Sequence, residues 1–463
     1  MSDFDRQLFQ RSLPRAHDFE PLESTGVIPP ELDGTLYRVG PGKFSAFGKP
    51  YAHPFDGDAA VTAVRLRRGR AWAAARLVET EGLREEQRRG QILYGAAAPW
   101  LRRMRNAHGG KEKATPNVNL LHWQGRLFAL NEGGPPVEVD PDNLNALGED
   151  TLAAAVSGAF CAHPHRVASR RTTYNVGMEY GVKTQLAIYE LPDAGPARRL
   201  GSIPFDEPPI VHDFAATETH LVFFVSPVRL RMWRHFLQLG HFGDLFAWRP
   251  ERGTEVIVVP LADPERCQRF QVPSFFQWHF ANAYHERDAL IVDYVRFADM
   301  SPITELTSEA PSAPFRSARY HRATLYPDQR RFESAELGPA GCEFPRVHPQ
   351  IEGQRHTVSW LASGDLGAIL ALDPQTGSHQ RHDFARGEWC GEPVFVPRNG
   401  ATPGDERDGY VVALCHDDAS DRGFLSIHDG RSLEALGRIW FNQYVPVTFH
   451  GQWVTRAPDV AAL

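Results

Sequence analysis

Short apolar runs rich in β-branched and aromatic residues recur along the whole chain. The clearest of them are residues 34–39, 126–130, 221–225, 255–259, 289–295 and 410–414. Turn-forming residues bound these runs, as in the segment Gly40-Pro41-Gly42, so the pattern predicts short β-strands. Many strands with few helical stretches favour an all-β architecture: a sandwich array, a solenoid or a β-propeller. The chain has no fixed-period sequence repeat that would decide among the three.

Two stretches have a helical pattern instead. Residues 81–105 are rich in Glu, Gln, Arg, Ala and Leu, and two glycines and a proline predict that they form separate short helices. The segment from Val228 to Trp248 places Trp233 and Phe236 at helical spacing, with arginines between them. This segment is either a helix packed on its own protein or an amphipathic helix that dips into a membrane surface.

Composition and charge describe an ordinary soluble globular protein. Hydrophobic residues make up 42% of the 463 positions and charged residues 23%, which excludes wholesale disorder. The 57 acidic residues outnumber the 50 Lys and Arg, so a nucleic-acid partner held by phosphate contacts is not expected. No apolar stretch approaches the length of a transmembrane helix, and the polar N-terminus lacks the apolar core of a signal peptide.

The number and spacing of the cysteines indicate the redox state of the compartment in which the protein is found. There are five of them, far apart and without any C-x-x-C pair: Cys161, Cys267, Cys342, Cys390 and Cys415. This pattern argues against a disulfide framework and against a zinc–cysteine site. A reducing, cytoplasmic environment is the simpler interpretation.

Four histidines stand in compact sequence contexts that would suit a metal site. The contexts are Cys-Ala-His-Pro at His163, Val-His-Asp-Phe at His212, Trp-His-Phe-Ala at His279 and Phe-His-Gly at His450. They lie far apart in the sequence, so there is no local chelate such as H-E-x-x-H and only the fold could assemble a shared site. A single histidine beside aromatic residues is more often a core residue than a ligand. Spacing alone therefore leaves the metal site undecided.

Nine short motifs resemble those of the carotenoid cleavage oxygenase family in identity, order and separation. They are Gly34-Thr-Leu-Tyr-Arg-Val-Gly-Pro-Gly42, Phe55-Asp-Gly-Asp58, Asn131-Glu-Gly-Gly-Pro-Pro136, Ala162-His163-Pro164, His212-Asp-Phe-Ala-Ala-Thr217, His279-Phe-Ala-Asn-Ala283, Cys342-Glu-Phe-Pro-Arg346, Gly391-Glu-Pro-Val-Phe-Val-Pro-Arg398 and Phe449-His450-Gly451. Each motif is weak by itself, whereas nine in the family's order are specific.

The resemblance implies a seven-bladed β-propeller with a cap of loops and short helices, formed as one domain by residues 1–463. It also implies one Fe(II) on the propeller axis, bound by His163, His212, His279 and His450. Imidazole suits ferrous iron, and four protein ligands leave coordination positions open for dioxygen. No organic cofactor is expected, and the chain has neither a G-x-G-x-x-G motif nor a P-loop.

Carboxylates are expected around the imidazoles, because four neutral ligands leave a buried dication uncompensated. Such carboxylates accept the distal N–H of each ring and fix its orientation. The family motifs place them in this chain at Glu132, Glu343 and Glu392, and the family's usual pattern pairs these residues with His212, His279 and His450, respectively.

Two further histidines lie in similar contexts but are not expected to bind the metal. The sequence His-Asp-Phe-Ala occurs at His212 and again at His382, and only the first copy continues with Thr217-Glu218 as the family's ligand motif does. We therefore expect His382 to lie on the surface or in a strand. His165 follows the proline of its motif, whereas the family's ligand precedes that proline, and it stands where the family usually has lysine.

The reaction implied by the resemblance is cleavage of an activated carbon–carbon double bond by O₂ into two carbonyl products. Within the family, stilbene cleavers typically use a Tyr and a Lys to contact the phenol of the substrate. This chain has Asn131 in place of the Lys and Ala97 at the aligned Tyr position, so an apolar polyene, a carotenoid or apocarotenoid, is the expected substrate. Aromatic residues expected along its tunnel are Phe55, Phe275, Phe276, Trp278 and Phe280.

Several alternatives stay open on the sequence. Some family members isomerise retinoid esters at the same iron site without cleavage, and a stilbenoid or phenylpropenoid could be cleaved by another activation route. The chain could also be a propeller that binds ligands without catalysis. The expected partners are an apolar alkene and O₂, with a peripheral membrane contact through the segment from Val228 to Trp248 as the route to a lipid-soluble substrate. A monomer is the default expectation.

Overall fold

Seven antiparallel sheets of four to six strands form the blades of a β-propeller in the computed structural model, which describes residues 11–51, 53–181, 183–231, 245–305, 315–402 and 404–456. The strands at the inner ends of neighbouring sheets contact one another around the axis. The prediction of an all-β, seven-bladed propeller is therefore confirmed. Two further strand pairs, Ser45–Ala46 with Lys49–Pro50 and Val228–Leu230 with Phe246–Trp248, lie outside the blades.

The first four blades take their strands, from the axis outwards, as follows. Blade 1 contains His450–Thr455, Gly34–Lys43, Asp58–Arg67, Arg70–Leu77 and His17–Pro21. Blade 2 contains Asn119–Trp123, Arg126–Leu130, Val137–Val139 and Ala146–Glu149. Blade 3 contains His165–Val167, Thr172–Glu179, Thr184–Pro192 and Arg198–Phe205. Blade 4 contains Ala215–Ala216, His220–Val225, Thr254–Pro260 and Gln268–Val272.

The last three blades follow the same plan. Blade 5 contains Phe280–Glu286, Ala289–Arg296, Arg319–Tyr326 and Arg331–Ala340. Blade 6 contains Glu343–Arg346, Ser359–Ser363, Ala368–Leu372 and His379–Asp383. Blade 7 begins with two short strands that pair with the same neighbour, Glu388–Cys390 and Val394–Pro397, and continues with Gly409–Asp417, Arg422–Asp429, Ala435–Trp440 and Glu23–Gly26.

Strands from both ends of the described chain close the ring. The innermost strand of blade 1, His450–Thr455, pairs with Gly34–Lys43, and the outermost strand of blade 7, Glu23–Gly26, pairs with Ala435–Trp440. In the first of these pairs, His450 lies opposite Val39. Ring closure thus brings a histidine from the last described strand to the axis beside residues from the start of the chain.

The apolar runs of the sequence form strands that are buried on both faces. In His220–Val225, Leu221 and Phe223 pack against blade 3, whereas Val222 and Phe224 pack against blade 5. Successive side chains of a strand point to opposite faces, so a strand between two neighbouring blades needs apolar residues at every position. This packing explains why the runs are continuous rather than alternating.

Short helices lie outside the blades: α1, Glu81–Arg89; α2, Trp100–His108; and α3, Ser301–Glu305. The Thr80 hydroxyl accepts a hydrogen bond from the Leu83 N–H at the start of α1, and Gly90 ends the helix in the left-handed conformation. The predicted break of the 81–105 stretch into separate helices is therefore confirmed. Single 3₁₀ turns occur at Pro54–Asp56, Ala168–Arg170, Pro250–Arg252, Pro264–Arg266 and Pro327–Gln329.

The prediction of a helix from Val228 to Trp248 is wrong at both ends. Val228–Leu230 and Phe246–Trp248 are extended and pair antiparallel with each other. Val228, Phe246 and Trp248 favour extended structure, and the antiparallel pairing of the two ends satisfies their backbone groups as a strand pair. Trp233 and Phe236 lie outside the described residues. Of the helices in the described parts of the chain, none is long and apolar enough to cross a membrane.

His382 lies in a strand, one of the two places that the sequence predicts for it. His382 is in the strand His379–Asp383, the outermost strand of blade 6, where its ring packs against His428. All five cysteines are free thiols, and four of them are buried.

Candidate metal centre

The four predicted histidines lie at the beginnings of innermost strands of four different blades. His450 is the first residue of its strand in blade 1, and His279 directly precedes Phe280–Glu286 of blade 5. His163 and His212 lie just before the innermost strands of blades 3 and 4. Because these strands surround the axis, their starting points meet, and residues far apart in the sequence become neighbours.

The imidazole rings converge on one point. The Nε2 atom of His212 lies 3.1 Å from Nε2 of His163 and 3.4 Å from Nε2 of His279. The ring centroid of His450 lies 4.6 Å from that of His163 and 4.8 Å from that of His279. Three of the rings, those of His163, His212 and His279, offer donor atoms within 4.8 Å of one another.

Carboxylates contact the far side of three of the rings. The Nδ1 atoms of His279 and His450 donate to Glu343 at 2.6 Å and to Glu392 at 2.8 Å. Nδ1 of His212 lies 2.6 Å from Oε1 of Glu132. These are the three pairings that the family resemblance implies: Glu132 with His212, Glu343 with His279 and Glu392 with His450. Within the described residues, His163 contacts no carboxylate.

Burial and charge keep two of the rings neutral. Burial lowers the pKa of His163 far below its ordinary value, and the neighbouring rings, His212 first, lower it further. Burial also dominates at His450, whose pKa falls to about 4 although Glu392 raises it. For Glu392 itself, burial alone would raise the pKa, but Arg346, His450 and Arg38 bring it below its usual value.

The donor set fits a divalent transition metal. With Nδ1 of three rings directed at carboxylates, the Nε2 lone pairs are the ones directed at the common centre. Neutral imidazoles suit Fe(II) among other first-row metals, and the three carboxylates offset the charge of a buried dication. The arrangement has the ligand type and the outer carboxylates that a metal site requires.

Phe344 was not singled out from the sequence, yet it faces the rings. Its ring centroid lies 5.5 Å from that of His279 and 5.4 Å from that of His450, and its φ angle is +55°. In a regular strand Glu343 and Phe344 would point to opposite faces. The left-handed backbone at Phe344 breaks this alternation, so both side chains reach the centre. The only available signal was the motif Cys342-Glu-Phe-Pro-Arg346, whose backbone conformation cannot be inferred from its letters.

Arg38 is a second residue whose role the sequence did not show. Its side chain is 1% exposed and forms an ion pair with Glu392. It also donates to Oγ1 of Thr448 at 3.1 Å and to the carbonyl oxygen of Phe449 at 2.8 Å. Arg38 therefore fixes the carboxylate that holds His450 and the backbone just before that histidine.

Replacing Glu343 with glutamine is expected to weaken metal binding by about 10- to 100-fold. Glutamine can still accept the Nδ1–H of His279, but it carries no charge to offset a dication. Metal titration measures the change. Glu333→Gln, on an exposed outer strand of blade 5, is the matched control and should bind metal as wild type does. Equal affinities in the two variants would contradict a role for Glu343 at the centre.

An apolar cavity of about 460 Å³ opens on one side of the rings. His212, His279 and His450 line it, together with Phe55 and Trp278, two of the five aromatic residues predicted for the tunnel. Lining residues that the sequence analysis missed include Val176, Met178, Ile210, Ile303, Phe315 and Phe344. They come from separate blades and loops, so no local pattern identifies them.

The other three predicted tunnel residues lie elsewhere. Phe275 is fully buried among Phe224, Tyr294 and Phe332, in the core between blades 4 and 5. Phe276 packs behind Trp278, with their ring centroids 4.9 Å apart. Phe280 lines a different cavity. Neighbouring positions around His279 face different directions along the chain, and this is why three of the four aromatic residues near it are not in the tunnel.

The cavity that Phe280 lines is more polar than the first, has a volume of about 450 Å³ and lies against the other side of the rings. His163, His279 and His450 line it. His165 also faces it, with Nε2 at 2.8 Å from Asp213 and Nδ1 in contact with Glu352. Burial alone would lower the pKa of His165, but these two carboxylates raise it to about 10. Both ring nitrogens are thus occupied, and His165 provides a cation where the family usually has lysine.

Several known proteins are similar to this chain over nearly its whole length. Apocarotenoid-15,15'-oxygenase from Synechocystis sp. is 29% identical over 470 residues, which cover 96% of this chain and 94% of the relative. Resveratrol cleavage oxygenase 1 from Chaetomium globosum is 32% identical over 516 residues, which cover 94% of this chain and 84% of the relative. The crystal structure of cobalt-substituted Synechocystis apocarotenoid oxygenase matches with a TM-score of 0.90 and 28% identity, over 98% of this chain and 100% of that one.

The family model described as retinal pigment epithelial membrane protein matches residues 11–455, nearly the whole chain. The named relatives are oxygenases that act on carotenoids, apocarotenoids or resveratrol. The propeller, the nine motifs and these matches lead to the same assignment. The chain belongs to the retinal pigment epithelial membrane protein family, the carotenoid cleavage oxygenases that its motifs resemble.

Proposed function

We propose that this protein is a non-haem Fe(II) dioxygenase that cleaves a carbon–carbon double bond of an apolar polyene, a carotenoid or apocarotenoid, into two carbonyl products. One observation carries the proposal: imidazoles from four blades converge beside an apolar cavity, and three of them are supported by glutamates. Apolar lining suits a hydrocarbon chain, and open coordination positions suit O₂.

Each group of residues at the site has a different role in this reaction. His163, His212, His279 and His450 bind the iron, and Glu132, Glu343 and Glu392 orient three of the rings. Iron, when bound, supplies the redox chemistry that activates dioxygen for reaction with an alkene. Trp278 and Phe344, which line the cavity, exclude water and hold the polyene against the centre.

A polyene is favoured over a stilbene because the phenol-activating side chains are absent. The Asn131 amide donates to the carbonyl oxygen of Thr115 at 2.8 Å and accepts from the Gly133 N–H at 3.1 Å, so both ends of the amide are engaged by the backbone. The hydroxyl of Tyr94 donates to Glu85 at 2.7 Å. Ala97, at the aligned Tyr position, has no hydroxyl.

A stilbenoid substrate remains the second candidate. The observation in its favour is the 32% identity with resveratrol cleavage oxygenase 1 from Chaetomium globosum. Cleavage of resveratrol would then require an activation route that does not use a Tyr–Lys pair.

The experiment is anaerobic reconstitution with Fe(II), followed by exposure to air with a panel of apocarotenals and stilbenes. Mass detection of both fragments and O₂ consumption are recorded together, and protein without added iron is the control. The proposal expects two carbonyl fragments from an apocarotenal, with matching O₂ consumption and no cleavage of resveratrol. Isomerised substrate without O₂ uptake would indicate an isomerase, and iron binding without any turnover would indicate a non-catalytic propeller.

A lipid-soluble substrate also suggests a membrane contact near the cavity. The first residues of α2, Trp100 and Leu101, are 50% and 75% exposed. Arg103 in the same helix interacts electrostatically with Asp56, which lines the apolar cavity. An exposed apolar pair beside the cavity supports peripheral contact with a lipid surface.

The segment from Val228 to Trp248 is the second part of this membrane proposal. Replacing Trp233 and Phe236 together with serine is expected to lower the fraction of protein that sediments with liposomes, because apolar side chains drive interfacial binding. Leu147→Ser, at an exposed apolar position on the outermost strand of blade 2, is the control and should sediment as wild type. Unchanged sedimentation of the double variant would reject a role for this segment.

A further inference from the structure

A pair of histidines joins blades 4 and 5 far from the candidate metal centre. His220 is the first residue of the strand His220–Val225 in blade 4, and Thr219 precedes it. His285 is the next-to-last residue of Phe280–Glu286, the innermost strand of blade 5. The strand carries His285 six residues beyond His279, roughly 20 Å at 3.3 Å per residue. The two sites share no residue.

Three donor atoms of this group face one another. Nδ1 of His220 lies 3.2 Å from Nε2 of His285. The Thr219 hydroxyl oxygen lies 2.9 Å from Nδ1 of His220 and 2.7 Å from Nε2 of His285. Within the described residues, no carboxylate comes within ion-pair distance of either ring. The two nitrogens therefore face each other with no acidic partner between them.

We propose that His220 and His285, with the Thr219 hydroxyl beside them, form a second metal site that takes a divalent transition ion of the zinc type. Two imidazole nitrogens, each about 2.0–2.1 Å from a tetrahedral ion, are about 3.3–3.4 Å apart. The observed separation of 3.2 Å is close to that value, so small side-chain adjustments suffice. The exposed position of His285 leaves room for water molecules to complete the coordination.

The charge state of the rings supports metal binding. Burial lowers the pKa of His220, and the neighbouring His285 lowers it further. Burial lowers the pKa of His285 more than the carboxylate of Glu218 raises it. Both rings are therefore neutral at pH 7, as metal ligation requires, and Glu218 supplies a negative charge that favours a bound cation.

A bound ion would connect two blades. His220 follows the turn between the first two strands of blade 4, whereas His285 belongs to the neighbouring sheet. An ion held by both residues binds the folded state and not the unfolded chain, so it stabilises the fold in proportion to its saturation. The expected consequence is a zinc-dependent rise in the unfolding temperature that both histidines require.

The test uses protein already loaded with iron and dialysed to equilibrium against zinc, with iron and zinc both counted per chain. Wild type is compared with His220→Gln, His285→Gln and the control His379→Gln, which alters an exposed histidine on blade 6. Glutamine preserves polarity and hydrogen bonding but is a poor ligand for zinc. Iron counted in each variant before the zinc dialysis shows that its fold is intact.

The proposal expects a total of two metal ions per chain in wild type and in His379→Gln. It expects one metal ion per chain in His220→Gln and in His285→Gln. Counting iron and zinc together keeps the result valid even where zinc displaces iron from the central site. A total of one metal ion per chain in wild type would overturn the proposal. The two rings and the hydroxyl would then form only a hydrogen-bonded group. Total metal of two in His220→Gln or His285→Gln would overturn it as well.

Discussion

The His279→Ala variant is expected to lose metal binding and turnover together. Nε2 of His279 lies 3.4 Å from that of His212, and its ring lies beside those of His163 and His450. Removing the ring takes away one of four ligands. It also takes from the fully buried carboxylate of Glu343 the Nδ1–H of His279, and leaves it the backbone N–H of Phe344 at 2.6 Å.

Metal analysis after anaerobic reconstitution and O₂ consumption with an apocarotenal measure the two losses. His382→Ala is the matched control, because His382 belongs to the second His-Asp-Phe-Ala sequence but lies on the outermost strand of blade 6. That variant is expected to keep both metal and activity. Full activity of His279→Ala would mean that the proposed ligand set is wrong.

Replacing Arg38 with methionine is expected to cost about 3–5 kcal/mol of unfolding free energy. Arg38 and Glu392 are each 1% exposed at their side chains, so the substitution breaks a buried ion pair and leaves Arg346, whose Nε lies 3.6 Å from Glu392, as the remaining arginine beside that carboxylate. It also removes the hydrogen bonds to Thr448 and to the carbonyl of Phe449, which precede His450 directly. Methionine approximates the length of the side chain, so the loss reports charge and hydrogen bonding more than volume.

Urea unfolding with and without iron measures this effect. The control is Arg266→Met, which removes an ion pair to Asp263 at 3.2 Å with side chains 84% and 50% exposed, and whose stability should stay close to that of wild type. Because Glu392 holds His450, the Arg38 variant should also bind iron more weakly. Stability equal to that of the control would show that Glu392 is satisfied without Arg38.

Strand positions were predictable because burial on both faces leaves a strong local signal. The run at 221–225 is apolar at every position, the run at 255–259 is apolar at every position after Glu255, and both lie within strands packed between two blades. The segment from Val228 to Trp248 misled the prediction because its two extended ends are only three residues long. The apolar residues at helical spacing between these two ends therefore determine the pattern of the whole segment in the sequence.

The aromatic residues around His279 show that a local sequence pattern does not determine which side chains face the cavity. Trp278 lines the apolar cavity, Phe276 packs behind it and Phe280 lines the polar cavity, although all three lie within three residues of the histidine. Which of them faces a substrate depends on the direction of each side chain and on what the neighbouring blades place opposite. A reading of the sequence alone supplies neither.

The amino-acid sequence by itself determined the fold class and the membership of the family, and it singled out four histidines and three glutamates through ordered motifs. Strand patterns and motifs lie within a few consecutive residues, so they can be recognised in the sequence without the fold. Only the tertiary structure decided that these rings share one point, that Phe344 turns toward them on a left-handed backbone, and that Arg38 supports Glu392. These contacts join residues separated by tens to hundreds of positions, so they depend on blade order, strand register and ring closure.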